Sequence, residues 1–328
     1  MISNEEKEKK VEKVMAYSAY LAAGSYQFST DFRIFFHESK QHHPICRNVE
    51  GTTEVWNIAD EQKQFAGKIL WFSSSGDIRI FSNTEVLTLC ANKENYLRKI
   101  ENNEHFSYDF QLPKQLFKDD INLIIKEEAI PFVPNDQQDD AFILKTLFRD
   151  YKNYFCSVIE SSQFTKQSMS QLLQTSSNTV HRHDFETIIN NIYPSLLDEA
   201  FPFVKLHGDL WSENLLVEKI KGKRVLWYID WDESGEYLFF YDFYRFIWNE
   251  LDVHQNHSYY DQYMDGAYDD CLKDLFGLFN LVYKPELKQS YFYLFFLNLL
   301  LDETGTMTYE VKQFELNDFL RKIGGQEA

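Results

Sequence analysis

Two stretches of the sequence decide the fold. Residues 206–217 read LHGDLWSENLLV, and residues 225–232 read VLWYIDWD. Between them lies KIKGKR, a polar turn flanked by two apolar-rich runs, which predicts a β-hairpin that turns near Gly222. In a hairpin with that turn, Asn214 lies across from Ile229, so we expect Asp230 to arrive beside Asn214.

This expected geometry has a chemical meaning. A carboxylate oxygen and a carboxamide oxygen at the open end of a hairpin suit Mg²⁺, which prefers hard oxygen ligands and keeps waters or phosphate oxygens in its other positions. Asp209 lies on the approach to the same place, five residues before Asn214. We expect Asp209 to act there as a base or orienting group for an attacking hydroxyl.

The two stretches also resemble a known signature. The pattern H-G-D-x-x-x-x-N, followed by I-D-W-D, resembles that of the aminoglycoside phosphotransferase and choline kinase group, relatives of the protein kinases. The resemblance implies that Asp209 is the catalytic base and that Asn214 and Asp230 are the magnesium ligands. It further implies that His207 holds the loop and that Asp242, in the segment YDF, ties the loop down. Away from these motifs the resemblance rests only on the order of elements.

The N-terminal residues carry the patterns of a sheet with one prominent helix. Apolar residues at helical spacing predict a first helix over residues 5–23 that ends at Gly24. A capping box, Ser82-Asn83-Thr84-Glu85, predicts a second helix over residues 83–102. Short runs typical of strands lie at 54–58, 68–73, 77–81, 114–117 and 121–126. Pro131 and Pro134 then interrupt the chain, which places a lobe boundary at about 126–136.

The remainder is mainly helical, with helices expected at 136–161 and 184–199 and a Tyr- and Phe-rich helical region from Phe239 onward. The predicted fold class is α+β: a two-lobed protein-kinase-like fold with an N-terminal antiparallel sheet plus helix and a larger, mainly helical C-terminal lobe. We expect residues 1–130 to form the nucleotide-binding lobe and residues 131–328 to form the catalytic and substrate lobe.

The phosphate-binding residues are less clear from sequence. Kinases place a Lys on the strand before the prominent helix and pair it with a helix Glu. Here the expected strand carries Arg79, and Glu94 is the candidate partner within the helix. Lys68 with Glu85 is the alternative pair, although the capping box already uses Glu85. The chain has no glycine-rich phosphate loop beyond weak matches at 51–53 and 66–68.

The nucleotide base is expected at the hinge between the lobes. The resemblance implies that backbone groups near Glu128, Ala129 and Ile130 hold it. It also implies ATP as the phosphoryl donor and Mg²⁺ as the metal, without excluding GTP.

Composition limits the function classes. The 328 residues carry a formal charge of −18, which argues against nucleic acid as a partner. The four cysteines form no C-x-x-C pair, and the charged N-terminus lacks the apolar core of a secretory signal, so we expect a cytoplasmic protein. The apolar stretch 291–301 is too short to span a membrane and predicts a buried helix.

The acceptor and the oligomeric state stay open. The predicted function is Mg²⁺-dependent transfer of the ATP γ-phosphoryl group to a hydroxyl of a small alcohol, a sugar or an aminoglycoside-like molecule. Aromatic and acidic residues alternate over 248–274, which suits either a cationic acceptor or an ordinary amphipathic helix. The pair Trp211-Ser212, which follows H-G-D, resembles the sequence of fructosamine kinases at this point, and this keeps a glycated amine or a sugar open as the acceptor. The alternatives are a pseudokinase acting as a nucleotide-binding or scaffold module, and an unusual protein kinase, which the short spacing between Asp230 and Asp242 disfavours.

Overall fold

The computed structural model describes residues 3–41, 43–46, 53–60, 63–131, 139–175, 182–302, 305 and 307–324. The chain divides into two compact units, one comprising Met1–Asp136 with Leu216–Ile229 and the other Gln137–Leu215 with Asp230–Ala328. The hairpin residues 216–229 therefore group with the first unit, although they follow the expected lobe boundary in sequence. Pro134, Gly51 and Thr52, which the sequence interpretation used, lie outside the described residues.

The first unit is built on an eight-stranded antiparallel sheet. Its elements, in chain order, are α1 (Asn4–Ala16), β1 (Gly24–Phe28), β2 (Ile34–His37), β3 (Trp56–Ile58), β4 (Ile69–Phe72), β5 (Ile78–Phe81), β6 (Glu85–Leu89), α2 (Lys93–Phe106), β7 (Gln115–Asp119) and β8 (Ile124–Glu128). The strand order is β3-β1-β2-β4-β5-β6-β8-β7, and neighbouring strands pair antiparallel.

One core cluster of this unit lies on one face of the sheet, and a second, which includes Phe36 and Ile69, lies on the other face. Because successive side chains in a strand point to opposite faces, Ile78 and Ile80 of β5 pack into the same cluster as Leu87 and Leu89 of β6. Val14 of α1 is fully buried in that cluster. The strands of this region and the first helix are thus held together by one apolar face.

The first helix is shorter than predicted. Its N-terminus is capped by the Ser3 hydroxyl, which accepts a hydrogen bond from the Glu6 N–H. It ends at Ala16 rather than at Gly24, which instead begins β1. The reason is tertiary: the Ala22 N–H donates to the Gly67 carbonyl at 2.8 Å, so the chain leaves the helix to pair with the sheet region.

The predicted helix over 83–102 is wrong in its first half. The Ser82 hydroxyl does accept a hydrogen bond from the Glu85 N–H at 2.9 Å, but within a turn that leads into β6. Residues 85–89 pair with β5 on one side and β8 on the other, and this two-sided pairing overrides the helix-start signal. The helix begins at Lys93 and is capped by the Asn92 side chain, which accepts from the Asn95 N–H.

The second unit is mainly helical. Its elements are α3 (Asp140–Glu160), β9 (Thr165–Gln167), α4 (Met169–Thr175), α5 (Arg182–Ile189), α6 (Pro194–Asp198), β10 (Phe201–Leu206), β13 (Gly235–Leu238), α7 (Tyr241–Asp252), α8 (Ser258–Met264), α9 (Asp269–Leu278), α10 (Lys288–Leu301) and α11 (Tyr309–Ile323). The three strands form a small sheet in the order β13-β10-β9. The helix expected over 184–199 is two helices, with Pro194 starting the second.

The hairpin is formed by β11 (Leu215–Ile220) and β12 (Lys223–Tyr228). Its two loop residues, Lys221 and Gly222, both have positive φ, at 48° and 79°. A two-residue loop with this backbone matches the right-handed twist of its strands and pairs Ile220 with Lys223. The predicted hairpin and its turn at Gly222 are therefore confirmed.

Aromatic side chains fill the second unit. Trp248, Tyr259, Tyr263 and Tyr268 of the segment 248–274 are each at most 6% exposed, and Tyr260 is half-buried. They pack inward, as in the amphipathic-helix alternative, and do not form an exposed aromatic cage. The stretch 291–301 is buried in α10 as predicted.

In the part of the chain that the structure describes, no helix combines the length and the apolar character needed to cross a membrane. The predicted fold class, α+β with an N-terminal antiparallel sheet and a larger helical C-terminal part, is confirmed.

Candidate active site

The loop after β10 begins with a glycine that nothing else can replace without strain. Gly208 has φ +84°, and a Cβ atom at this position would lie 2.0 Å from the carbonyl oxygen of Glu233. Only glycine combines this left-handed backbone with so close an approach of another main chain. The loop and the residues after Asp230 are thus packed backbone to backbone.

Asp242, at the start of α7, holds the beginning of this loop. Its Oδ2 accepts hydrogen bonds from the His207 N–H at 2.8 Å and from the Tyr151 hydroxyl at 2.5 Å, and its Oδ1 accepts from the Gly208 N–H at 2.9 Å. Burial raises the pKa of Asp242, while the neighbouring His207 and these hydrogen bonds act in the opposite direction. Such contacts are those of a carboxylate that ties down a loop.

His207 is fully buried beside that carboxylate. Its Nδ1 accepts a hydrogen bond from the Asp209 N–H at 3.3 Å, and its ring lies 4.6 Å from the ring of Trp231. Trp231 directly follows Asp230, so the ring contact brings that part of the chain to the loop. The imidazole therefore joins two of the sequence motifs by packing.

Asp209 presents its two carboxylate oxygens differently. Oδ1 accepts hydrogen bonds from Asn249 Nδ2 at 3.2 Å and from Arg245 Nη2 at 3.3 Å. Oδ2 accepts none from the residues that the structure describes, and the side chain is 33% exposed. One oxygen is therefore held from behind, while the other is available to a bound molecule.

Asn214 closes the loop on itself. Its Nδ2 donates to the Asp209 carbonyl oxygen at 2.7 Å, and its own N–H donates to the Trp211 carbonyl in a 3₁₀ turn. Because the amide nitrogen is used in this way, Oδ1 is oriented away from the loop, and it accepts no hydrogen bond among the described residues. An oriented carboxamide oxygen of this kind can serve as a ligand of a hard cation.

Asp230 has an unusual backbone. Its φ of 64° and ψ of 58° lie in the left-handed region, and it precedes a 3₁₀ turn over Trp231–Glu233. Non-glycine residues adopt this conformation infrequently, although Asp is among those that tolerate it best. Strained conformations persist where the surrounding structure fixes them, which is common at functional sites.

The donor set fits a magnesium ion. Asn214 offers a carboxamide oxygen and Asp230 a carboxylate, which are the hard ligands that Mg²⁺ takes from protein while phosphates and water complete its shell. Among the described residues, no cluster of three His, Cys, Asp or Glu side chains could hold a metal ion by itself. The predicted site is of a different kind, since it consists of two protein oxygens.

Sequence reasoning missed three residues that surround Asp209. Arg245 and Asn249 follow Asp242 by three and seven positions on α7, a spacing that puts all three on one helix face. Glu315 on α11 contacts Arg245 Nη1 through Oε2 at 2.7 Å. The helical spacing could have identified the first two, but no local pattern connects Glu315 with this site.

The structure corrects the expected phosphate-binding pair. The strand immediately before α2 is β6, which carries no basic residue, whereas Arg79 lies one strand earlier on β5. Glu94 lies in the first turn of α2, is largely exposed and pairs with Arg98 at 2.9 Å, because a helix favours such i, i+4 pairs. The expected pair of Arg79 with Glu94 is not formed.

The alternative pair is not formed either. Glu85 pairs with Lys126 of β8 at 3.2 Å, and these strands are direct neighbours in the sheet. Lys68 lies directly before β4, and its N–H donates to the Phe81 carbonyl at 2.7 Å. Arg79 is half-buried, and its guanidinium lies 6.0 Å from the centre of the Trp71 ring.

At the expected hinge, two of the three N–H groups are already used. The Glu128 N–H donates to the Lys114 carbonyl at 3.0 Å, and the Ala129 N–H donates to the Thr84 carbonyl at 2.9 Å. Ile130 forms no backbone hydrogen bond with the described residues. Of the three N–H groups, that of Ile130 is therefore the one without a partner among the described residues.

Comparison with known proteins agrees with the motifs. Residues 160–273 match the model of the phosphotransferase enzyme family, and they include the loop, Asp230 and α7. The predicted family resemblance and the predicted enzyme class, a phosphotransferase, are thereby confirmed. No curated protein matches the chain.

Solved structures similar to the chain include three kinases. An amicoumacin kinase in complex with AMP-PNP, Ca²⁺ and Ami is 13% identical, with 98% of this chain and 96% of that chain covered and a TM-score of 0.46. A choline/ethanolamine kinase family protein from Mesorhizobium loti is 12% identical, with 88% and 93% covered and a TM-score of 0.45. A thermostable mutant of the aminoglycoside phosphotransferase APH(4)-Ia is 15% identical, with 77% and 93% covered and a TM-score of 0.38.

Proposed function

We propose that the chain is a Mg²⁺-dependent small-molecule kinase that transfers the ATP γ-phosphoryl group to an acceptor hydroxyl, since residues 160–273 match the model of the phosphotransferase enzyme family. The observation that carries this proposal is the orientation of two side chains on one loop. Asp209 has a carboxylate oxygen available on the same loop as Asn214, whose amide nitrogen already donates a hydrogen bond, which leaves the carboxamide oxygen as the free ligand atom.

In the proposed reaction Asp209 orients the acceptor hydroxyl and takes its proton as the oxygen attacks the γ-phosphorus, whose bond to the β–γ bridging oxygen breaks to release ADP. Asn214 and Asp230 are the proposed protein ligands of Mg²⁺, which when bound neutralises charge on the β- and γ-phosphates. Asp242 and His207 keep the loop in one conformation, so that Asp209 needs little reorganisation. Catalysis of this kind rests mainly on positioning and charge stabilisation.

On the nucleotide side, Arg79 is the proposed phosphate-binding cation and the main chain of Ile130 the proposed contact to the nucleotide base. Within the division that we propose, residues 1–130 bind the nucleotide and residues 131–328 supply the base and the acceptor site. Glu94 has no proposed role in nucleotide binding, since it pairs with Arg98 on the exposed side of its helix. ATP is the proposed donor, and GTP is to be compared with it.

The test is an assay of ADP release with Mg²⁺ and ATP over a panel of small alcohols, sugars and aminoglycosides. Asp209→Asn is expected to lower kcat by about 10²–10⁴-fold, the usual contribution of a general base, while nucleotide affinity survives. Asp230→Ala is expected to remove Mg²⁺-dependent nucleotide binding. Wild-type turnover by Asp209→Asn would contradict the role given to Asp209.

A pseudokinase is the second candidate, and one specific observation favours it. The strand that precedes α2, Glu85–Leu89, contains no basic residue. A pseudokinase and a kinase differ in one measurement: the pseudokinase would bind nucleotide, or a partner, without releasing ADP for any member of the panel. A well-folded chain with no Mg²⁺-dependent nucleotide binding would count against both readings of the loop.

A further inference from the structure

Side chains on one face of α7 form hydrogen bonds with successive residues of the active-site loop. Asp242 binds the N–H groups of residues 207 and 208, and Asn249 donates to the Leu210 carbonyl at 3.2 Å as well as to Asp209. Glu250 accepts a hydrogen bond from the Ser212 N–H at 3.0 Å. These hydrogen bonds therefore fix the path of the loop along the helix.

Arg245 lies in the middle of this face of α7, and its side chain is held by a residue of α11. Its side chain is 5% exposed, so it cannot serve as an open binding group for a ligand. Nη1 lies 2.7 Å from Glu315 Oε2, and Nη2 lies 3.3 Å from Glu315 Oε1. These two contacts form a bidentate fork, which fixes the plane of the guanidinium.

The fixed guanidinium has one consequence for Asp209. The same Nη2 that contacts Glu315 also lies 3.3 Å from Asp209 Oδ1, and Asn249 reaches that oxygen from one helical turn further on. Trp248 Nε1 donates to Glu315 Oε2 at 3.3 Å, which further fixes the glutamate. Glu315 of α11 thus fixes the orientation of Arg245, and Arg245 in turn holds one carboxylate oxygen of Asp209.

We propose that Arg245, oriented by Glu315, is a positioning residue that fixes the Asp209 carboxylate so that Oδ2 is the oxygen that takes the acceptor proton. This proposal rests on the proposed function, in which Asp209 is the base. The O–H bond of the acceptor breaks as the proton goes to Oδ2, and the hydroxyl oxygen forms the new bond to the γ-phosphorus. The bond from that phosphorus to the β–γ bridging oxygen breaks, and ADP leaves with the electron pair. Arg245 contacts neither the acceptor nor the nucleotide.

A positioning role for Arg245 predicts a specific kinetic result. Without Arg245 the carboxylate keeps one of its two donors and can rotate, so kcat falls while the affinity for nucleotide does not change. A displacement near 1 Å at a reacting group costs about 10²-fold. Arg245→Ala is therefore expected to lower kcat by about 10²-fold, with the KM for ATP within about twofold of wild type.

Chemical rescue separates this role from a merely structural one. Added methylguanidinium can occupy the vacated space between Glu315 and Asp209 and is expected to raise kcat of Arg245→Ala at least tenfold, whereas ammonium does not reproduce the fork. Arg245→Lys is expected to recover less activity than the rescued alanine variant. Glu315→Gln keeps the size of the side chain and is expected to lower kcat by a smaller factor than Arg245→Ala.

The matched control is another largely buried ion pair of the same unit. Lys288 lies 2.9 Å from Asp269, and neither residue contacts the loop 207–214 in any described hydrogen bond or ion pair. Lys288→Met is expected to lower the melting temperature without changing kcat of the folded protein. If Lys288→Met and Arg245→Ala lowered kcat equally, the loss would be one of general stability.

The outcomes distinguish the two proposals. If Asp209→Asn is inactive but folded Arg245→Ala turns over like wild type, the positioning proposal is overturned and the proposed function stands. If Asp209→Asn is fully active, the proposed function itself fails. In the supporting case, Arg245→Ala adds little further loss in the Asp209→Asn background, because both changes remove the same oriented oxygen.

Discussion

Replacing Gly208 with alanine is expected to lower kcat by more than the backbone strain at this one residue would explain. The backbone of Gly208 has φ +84°, which an alanine adopts only at a cost of ~1–2 kcal/mol. The new Cβ would also lie 2.0 Å from the Glu233 carbonyl oxygen and 2.8 Å from its carbon. Since both atoms belong to the main chain, neither can rotate away as the end of a side chain could.

The magnitude follows from these two terms. Overpacking of this kind costs about 1–3 kcal/mol, so the total destabilisation of the local conformation is about 2–5 kcal/mol. Relief of the clash requires the loop to move by more than 1 Å, because ordinary van der Waals contact begins at 3.4 Å. Asp209 is the next residue, and a displacement of that size lowers kcat by about 10²-fold.

Gly222 provides a closely matched control. It has φ +79°, yet a Cβ there would meet nothing within 4 Å. Gly222→Ala thus carries the backbone strain without the clash, and it is expected to keep the wild-type kcat. The assay is steady-state ADP release with thermal unfolding of each variant. If Gly208→Ala retained the kcat of Gly222→Ala, the reasoning from the close approach at Glu233 would be refuted.

Three further predictions concern single charges. Arg79→Met is expected to raise the KM for ATP by about 10–100-fold with kcat little changed, the effect of losing one charge-assisted contact, as measured by steady-state kinetics. Asp230→Asn keeps a side chain that tolerates the left-handed backbone, so Mg²⁺-dependent nucleotide binding should weaken without loss of melting temperature. Burial alone would raise the pKa of Asp77, but hydrogen bonds, including one from Asn95, and the charge of Lys99 lower it overall. Its contribution to stability is therefore present above the ordinary Asp pKa and is lost on acidification below it. Asp77→Asn should make thermal unfolding less dependent on pH between 5 and 3, and an unchanged slope would contradict this assignment.

The loop and the hairpin could be predicted because their determinants are local. The two loop residues of the hairpin are Lys221 and Gly222, and a short polar turn between apolar runs specifies them directly. Gly208 and Asp242 likewise belong to short sequence motifs, H-G-D and Y-D-F. Their contacts follow once β10 and α7 are adjacent, since Asp242 then meets the N–H groups of the loop.

The network around Asp209 could be predicted only in part. Arg245 and Asn249 share a helix face with Asp242, and helical spacing contains that information. Glu315 lies 70 residues beyond Arg245, and its contact depends on how α11 packs on the unit. Single-sequence patterns do not encode such a contact, because many exposed-looking glutamates have the same local surroundings.

The error at residues 83–102 has a different physical origin. Ser82 and Glu85 satisfy the pattern of a capping box, and the Ser82 hydroxyl does accept the Glu85 N–H. A turn that joins two strands can use the same hydrogen bond as a helix start, so the local signal does not distinguish them. Pairing of residues 85–89 with strands on both sides decides the outcome.

The strand at residues 85–89 also changes the position at which a phosphate-binding cation is expected. Once residues 85–89 are a strand, the position before α2 that a kinase gives to Lys falls on β6, where Thr88 is 3% exposed. Thr88 is the direct cross-strand partner of Arg79, and residues directly opposite each other point to the same face of a sheet. If Arg79 is the phosphate-binding cation, as we propose, it is displaced by one strand from the expected position, a distance of about 4.8 Å.

An arginine is better suited to this displaced position than a lysine. Its longer side chain and planar fork can cover part of the inter-strand distance and still bind a phosphate through two nitrogens. Trp71, the cross-strand partner of Arg79 on the other side, lies with its ring 6.0 Å from the guanidinium and can support that orientation. Arg79→Lys should therefore behave like Arg79→Met in the KM for ATP, whereas Thr88→Lys in the Arg79→Met background should restore binding. Failure of Thr88→Lys to restore it, together with a wild-type KM in Arg79→Lys, would show that the cation is not displaced in this way.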